Sequence, residues 1–165
     1  MRKKIQKNLQ GMTLIELLVV VAIIGITTSI VLADWSGGRI EQSLMVGATE
    51  VEGVVREAQN YALTGYQGVA NTKPCLFRFD PSGAGYIIEY WDNPSGTCQR
   101  NTTIRTYALK NGVTFSTNTN IDFTVPHAVS GNATQTISLV RSGVSAVVCV
   151  YVGGKIESFL RATCP

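Results

Sequence analysis

The chain has 165 residues and a formal charge of +3, which is unevenly distributed. Four of its 14 basic residues precede residue 11, so the remainder carries 10 basic and 11 acidic side chains, a balance of −1. This near-neutral remainder excludes a general electrostatic attraction to nucleic acid or to an anionic surface. The length suits one domain with an appendage.

The amino-terminal segment joins a basic start to a long apolar run. From Leu17 to Ala33 there are seventeen residues without charge or proline. Together with residues 12–16 they would form a helix of about 33 Å, enough to cross a bilayer core of about 30 Å. The basic residues ahead of the run orient the amino terminus toward the cytoplasm. A secretory signal peptide cut after Ala33 and an uncut membrane anchor are two interpretations of this pattern.

Glu16 favours a third interpretation. A carboxylate inside a membrane span costs a few kcal/mol and indicates a functional site. Neither a signal peptide nor a plain anchor gains anything from such a group. The sequence therefore predicts a specific role for this side chain.

The stretch GMTLIELLVVVAIIGI, preceded by the basic residues, resembles the signal of type IV pilins and type II secretion pseudopilins. In that family a basic leader ends in Gly, a hydrophobic residue follows, and Glu stands fifth in the mature chain. Gly11, Met12 and Glu16 occupy these places, although Phe is commoner than Met after the Gly. The resemblance implies that prepilin peptidase cuts between Gly11 and Met12 and that the Met12 amine is methylated. It also implies that Glu16 pairs with the new amine of a neighbouring subunit during filament assembly.

In the next segment, the spacing of the apolar residues predicts a second, amphipathic helix. Gly37 and Gly38 indicate a break or hinge between it and the membrane helix. Apolar residues then recur with helical period, at Ile40, Leu44, Val51, Val54, Val55, Ala58, Tyr61 and Ala62. The charged residues Glu41, Glu50, Glu52, Arg56 and Glu57 fall mainly on the other face, which we expect to be solvated.

Beyond Gly65 the sequence predicts short strands separated by turns. CLFRF and YIIEYW form a hairpin across DPSGAG, and Gly153-Gly154 suits a two-residue hairpin turn. Further strands are predicted at TIRTYAL, VTFS, IDFTV, TISLV and AVVCVYV. The expected fold is α+β and pilin-like: a long amino-terminal helix, its first half transmembrane, packs on an antiparallel β head. The expected divisions are a leader at 1–11, a transmembrane and polymerisation helix at 12–34, an amphipathic helix at 35–64 and a head at 65–165.

Four cysteines follow the apolar run, and no two of them form a Cys-x-x-Cys pair, which argues against zinc or thioredoxin-like chemistry. An even count after an export-like start favours two disulfides. Three pairings are open, and proximity in sequence favours Cys75–Cys98 with Cys149–Cys164. Buried free thiols are the alternative.

The sequence offers no candidate for catalysis, for a metal or for a cofactor. His127 is the single histidine and lies in a predicted loop, with no triad motif around it. The glycines do not have the spacing of a phosphate-binding loop. Tyr86, Tyr90 and Trp91 are expected in the core or on a strand face. We therefore predict that the chain is not an enzyme.

The carboxyl-terminal half resembles minor pilins and pseudopilins of the GspH/FimT type, some of which bind DNA for natural transformation. Their Gly-Arg-x-Arg pattern corresponds here to Gly154-Lys155-Ile156-Glu157, where a glutamate would repel phosphate. Residues 100–165 nevertheless hold six basic and two acidic groups. DNA binding is therefore the alternative function, through Arg100, Arg105, Lys110, Arg141, Lys155 and Arg161.

The resemblance implies a minor subunit of a type IV pilus or of a type II secretion pseudopilus, and leaves open which of the two. The chain would wait in the bacterial inner membrane as a single-pass protein with a periplasmic head, then enter the filament, which can be extracellular. The implied partners are prepilin peptidase, other pilin or pseudopilin subunits and the inner-membrane assembly platform.

Overall fold

The computed structural model describes residues 13–66, 73–93, 96–128 and 131–165, without the side chains of residues 31–37, 100 and 101. In these residues one helix precedes eight strands. The helix α1 is Leu14–Thr64. The strands are β1 Pro74–Ser82, β2 Gly85–Asp92, β3 Gln99–Ala108, β4 Thr114–Phe115, β5 Ile121–Thr124, β6 Gln135–Arg141, β7 Val144–Val150 and β8 Ile156–Phe159.

Helix α1 continues through Gly37 and Gly38, so the break predicted at this glycine pair is wrong. Hydrogen bonds along a helix outweigh the propensity cost of about 1 kcal/mol that each glycine brings. The helix ends at Gly65, whose φ is +61°, and the Tyr66 N–H donates to the Tyr61 carbonyl at 3.0 Å. A glycine with positive φ and this bond close a Schellman motif.

The chain divides into two compact units, and the second is Arg39–Pro165. In the first unit, the described residues from Leu14 to Gly38 are helical. A membrane span was predicted over residues 12–34. Within the described part of the chain, no helix is long and apolar enough to cross a bilayer.

In the second unit, the predicted apolar face of the helix is the face that packs on the strands. Leu44, Val51 and Val55 are fully buried in one core with side chains from the strands, and Ile40 and Tyr61 pack at its margin. The opposite face is less solvated than predicted. Glu50 accepts a hydrogen bond from the Tyr86 hydroxyl at 3.0 Å, so part of that face also contacts the strands.

The strands form two four-stranded antiparallel sheets, in the orders β3-β2-β1-β5 and β4-β6-β7-β8. The predicted hairpin is present: β1 and β2 pair from Ser82↔Gly85 outward. Strand β5 returns to pair with β1, whereas β4 pairs with β6 in the other sheet. The sequence predicted antiparallel strands and did not predict their division between two sheets.

The turn between β7 and β8 is longer than predicted. Strand β7 ends at Val150, which pairs with Ile156 of β8. The Tyr151 N–H donates to the Lys155 carbonyl at 2.9 Å. Three residues therefore lie between Tyr151 and Lys155, where a two-residue turn was expected. Gly154 has a φ of +81°, which explains why a glycine stands at this position.

Two disulfides join the four cysteines in the pairing that proximity in sequence favoured. Cys75 and Cys98 have Cα atoms 6.1 Å apart, and Cys149 and Cys164 have Cα atoms 5.8 Å apart. The first connects β1 to the segment before β3. The second joins Cys164 in the carboxyl-terminal tail to Cys149 in β7, and Cys149 is fully buried.

Candidate assembly site

The first turn of α1 is closed by reciprocal hydrogen bonds between Thr13 and Glu16. The Thr13 backbone N–H and its hydroxyl both donate to Oε2 of Glu16, each at 3.2 Å. In return the Glu16 backbone N–H donates to Oγ1 of Thr13 at 3.3 Å. This is a capping box, with Thr13 as the N-cap and Glu16 as the third helical residue. The Thr-x-x-Glu spacing is visible in the sequence, but the prediction considered only the charge of Glu16 and missed it.

The carboxylate of Glu16 remains available to a further partner. Its side chain is exposed, and in the described range its Oε1 accepts no hydrogen bond. A negative charge in the first turn is favoured by the helix dipole. The predicted cleavage and methylation residues, Gly11 and Met12, lie outside the described residues.

Apolar side chains of α1 in the first unit are exposed on every face of the helix. Residues 13–30 are all exposed, and Leu14 reaches 83%. Soluble monomers rarely expose a continuous apolar surface of this kind, and such a surface marks a site of association with protein or lipid. One side carries a shallow groove of about 440 Å³, lined by Leu14, Leu17, Leu18, Val21 and Ala22.

The three hydroxyls of this apolar run are satisfied within the helix. Thr27 donates to the Ile23 carbonyl at 2.9 Å, and Ser29 donates to the Gly25 carbonyl at 2.8 Å. The Thr28 hydroxyl likewise donates to the carbonyl of the residue four positions earlier. Because hydroxyls can bond back to the preceding turn, they add no unsatisfied polar group to the helix surface. The segment can therefore be covered by apolar material at little polar cost.

Two of the six cations considered for DNA binding are paired with carboxylates in the head. Arg105 Nε lies 3.4 Å from Oε1 of Glu57, and Lys155 Nζ lies 2.8 Å from Oε1 of Glu157. Hydrogen bonding to Tyr107, followed by the charge of Glu57, raises the pKa of Arg105. A cation with a carboxylate partner contributes less to phosphate binding, because the carboxylate repels phosphate.

The remaining four candidates do not form one surface through any described contact. The Arg161 guanidinium lies 4.6 Å from the ring centroid of Phe159. Lys110 is exposed, and the side chain of Arg100 is outside the description. Arg141 donates a hydrogen bond to the Ser43 hydroxyl.

Arg141 lies in a pocket that the sequence did not predict. The pocket has a volume of about 420 Å³ and is lined by Arg39, Gln42, Ser43, Val46, Asn111 and Arg141. Three separate segments supply these residues: the helix, the turn before β4 and the end of β6. No short motif carries such a site, so sequence patterns could not reveal it.

Glu57 is the centre of a hydrogen-bonded cluster on the second unit. The Tyr61 hydroxyl donates to its Oε1 at 2.5 Å, and the Tyr107 hydroxyl donates to its Oε2 at 2.9 Å. Burial, followed by the hydrogen bond to Glu57, raises the pKa of Tyr61 from 10.0 to about 12. The same two causes raise the pKa of Tyr107. Both phenols stay protonated at neutral pH. Tyr107 connects β3 to the helix, whereas the Tyr61 hydrogen bond lies within the helix.

His127 lies in a loop, is exposed and lines a second pocket of about 410 Å³ near Gln59 and Val152. Across the described residues, no three His, Cys, Asp or Glu side chains are grouped as metal ligands. The aromatic residues Tyr86 and Tyr90 are buried in the core, as expected. That the chain is not an enzyme stays a prediction.

A family model described as the prokaryotic N-terminal methylation motif matches residues 6–32. The match contains Gly11, Met12 and Glu16 and supports a type IV pilin-like protein. It ends before the second unit, so it does not bear on the function of the head or on the GspH/FimT resemblance. No curated protein and no solved structure matches the chain.

Proposed function

We propose that the chain is a minor structural subunit of a type IV pilus or a type II secretion filament. Prepilin peptidase cuts it between Gly11 and Met12, and the new Met12 amine is methylated. The subunit waits in the bacterial inner membrane with its head in the periplasm, and the assembly platform then adds it to the filament. Its neighbours there are other pilin or pseudopilin subunits.

One observation supports this proposal most strongly. An apolar helix that is exposed on every face over residues 14–30 has Glu16 in its first turn, and Glu16 lies inside the matched methylation motif. Residues 13–30 have no partner in the described chain that would bury them. Their hydroxyls are satisfied internally, so lipid or neighbouring helices can cover them. Membrane residence is proposed from the uncharged run that extends to Ala33.

Glu16 has two separable roles in this proposal. Oε2 caps its own helix through Thr13, and the negative charge attracts the Met12 amine of a neighbouring subunit. A buried carboxylate is costly alone and acceptable when paired with a cation. The pairing would set the axial position of one subunit against the next.

Minor status is proposed from the resemblance of the carboxyl-terminal half to GspH/FimT-type subunits. DNA binding, the alternative function, is not favoured, because Arg105 and Lys155 already have carboxylate partners. A DNA mobility-shift assay with the purified chain in neutral detergent tests this choice. We expect no shift at moderate salt. A shift that is lost in Arg141→Gln would favour the DNA-binding function.

Mass spectrometry of the amino terminus of the protein recovered from its native cells tests the proposal. We expect the chain to begin at Met12 and to carry one methyl group on that amine. A chain that begins at Asp34 would indicate a signal peptide, and an intact Met1 would indicate a plain anchor. A Gly11→Leu variant is the matched control, since it should keep the leader while retaining the apolar helix.

A further inference from the structure

The pocket that contains Arg141 has the composition of an anion site. Two guanidinium groups line it, and the side-chain amides of Gln42 and Asn111 can donate hydrogen bonds. The Ser43 hydroxyl already donates to the Ile40 carbonyl at 2.8 Å. Among the described residues that line it there is neither an aspartate nor a glutamate. One wall is apolar, formed by Val46, whose side chain is 58% exposed. The pocket therefore suits a ligand with a negative group next to an apolar part.

Arg141 differs from four other cations of the second unit. Each of these has a carboxylate oxygen within 4 Å, in the pairs Arg56–Glu52, Arg78–Asp122, Arg105–Glu57 and Lys155–Glu157. Arg141 is half-buried, and its hydrogen-bond partner in the described chain is the neutral hydroxyl of Ser43. A hydroxyl does not neutralise a guanidinium, so an anion from outside the chain would gain a charge-assisted hydrogen bond there.

Two tight turns adjoin the pocket. Asn111 and Gly112 have φ values of +57° and +70°, and this turn places Asn111 at the rim. Ser142 and Gly143 have φ values of +49° and +81°, and they connect β6 to β7 directly after Arg141. Backbone pairing of Arg141 with Val144 fixes the end of β6. A site formed by such turns needs little rearrangement to bind its ligand.

A phospholipid headgroup matches this chemistry better than DNA does. A guanidinium presents paired N–H groups that fit phosphate oxygens. Arg39 follows Ala33, the end of the uncharged run, by only six residues in the sequence. A basic pocket this close to a membrane segment can bind an anionic headgroup through charge-assisted hydrogen bonds. A DNA strand would instead need several free cations along a surface, whereas Arg105 and Lys155 have carboxylate partners.

We propose that this pocket binds the phosphodiester headgroup of an anionic phospholipid, with Arg39 and Arg141 on the phosphate oxygens. Gln42 and Asn111 hydrogen-bond the polar remainder of the headgroup. The inference rests on the proposed function for the presence of the chain in a bilayer. It adds a lipid contact to the head itself.

Native mass spectrometry of the full chain in neutral detergent tests this site. Phosphatidylglycerol and phosphatidylcholine are added at equal concentration, and bound copies of each are counted. We expect preferential retention of phosphatidylglycerol. Arg141→Gln should weaken this retention about tenfold, which corresponds to about 1.4 kcal/mol. Arg161→Gln removes the same charge outside the pocket and should leave retention unchanged.

A second pair of variants keeps the test valid if Arg141→Gln does not fold. Val46 is largely exposed, so neither Val46→Glu nor Val46→Gln should disturb the core. Val46→Glu places a carboxylate in the pocket and should abolish the lipid preference, whereas the neutral Val46→Gln should keep most of it. Equal loss in both variants would contradict the charge argument.

Competition identifies the ligand. Inorganic phosphate and a single-stranded oligonucleotide are each added to the lipid-bound chain. We expect neither to displace phosphatidylglycerol at a concentration equal to that of the lipid. Displacement by phosphate would make this a free-phosphate site, and displacement by the oligonucleotide would make it a nucleic-acid site; either result overturns the lipid assignment. Equal retention of the two lipids by the unmodified chain also overturns it. A methylated Met12 together with no lipid preference would contradict this inference alone and leave the proposed function intact.

Discussion

Both halves of α1 carry apolar side chains, but the surroundings of these side chains are opposite. In the first unit, Leu17 is 57% exposed and Ile24 is also 57% exposed. In the second unit, Leu44 and Val51 are fully buried against the strands. The second half has its apolar partner within the chain, whereas no described part of the chain covers residues 13–30. Apolar burial drives most of folding and association, so the exposed half is the part of the molecule with the strongest tendency to associate.

Polar groups differ between the two units in the same way. The hydroxyls of Thr27, Thr28 and Ser29 in the first unit bond to carbonyls three or four residues away on the same helix. In the second unit, Glu52 accepts from Ser158, 106 residues later, and Arg56 donates to the Ile156 carbonyl, 100 residues later. A helix that satisfies its own polar groups can change its surroundings from lipid to protein without losing hydrogen bonds. The second unit cannot change its surroundings in this way.

The largest expected effect comes from one substitution made in each half. Leu44→Ala should lower the free energy of unfolding of the head by about 2–5 kcal/mol, because it leaves a cavity in a packed core. Leu17→Ala should change the same quantity by less than about 0.5 kcal/mol, because the side chain is exposed. Urea unfolding of the full chain in detergent, followed by near-ultraviolet circular dichroism, measures both. Equal effects would contradict the distinction between the two units.

Removal of the disulfide at the carboxyl terminus should have the next largest effect. Cys149 and Cys164 enclose a loop with a sequence separation of 15, for which chain entropy predicts about 3 kcal/mol of stabilisation. The double variant Cys149→Ala with Cys164→Ala should lower the urea midpoint of the head by a corresponding amount. Incorporation of this variant into filaments should decrease only in proportion to the decrease in the fraction of folded head. Normal stability in this variant would contradict a structural role for the bond.

A smaller effect is expected at high pH. The pKa of Tyr61 is raised from 10.0 to about 12 in the folded chain, so the folded state holds its proton more tightly than the unfolded state. This contribution to stability is complete below pH 10 and is lost as the pH rises toward 12. Urea unfolding should therefore show a lower free energy of unfolding at pH 11.5 than at pH 9. The difference between the two pH values should be smaller in Tyr61→Phe. An unchanged decrease would show that other groups cause it.

Local patterns predicted the elements that depend on neighbours in sequence. The helical period from Ile40 to Ala62 gave the buried face, and the alternating run around Phe77 gave the first hairpin. Glycine propensity misled at Gly37 and Gly38, because continuous helical hydrogen bonds outweighed it. Glu16 was singled out for its charge alone, and its hydrogen bonds to Thr13 were missed.

Features that join distant segments could not be predicted from sequence. Strands β4 and β5 are consecutive, yet β4 pairs with β6 and β5 pairs with β1. No residue in either short strand specifies which sheet it enters, because shared burial in the core decides this. The pocket at Arg141 has the same origin: the helix supplies Ser43, and a separate turn supplies Asn111.

Incorporation of two variants into filaments tests the central claim, that the charge of Glu16 drives assembly. Glu16→Gln can keep the capping box, since Gln also serves at this position, but it removes the charge. Thr13→Ala removes the cap, at a cost of about 1 kcal/mol to the helix, and keeps the charge. Sheared filaments from cells that express each variant are assayed for the subunit. We predict that Glu16→Gln is absent from filaments while Thr13→Ala is present. Normal incorporation of Glu16→Gln would contradict the account.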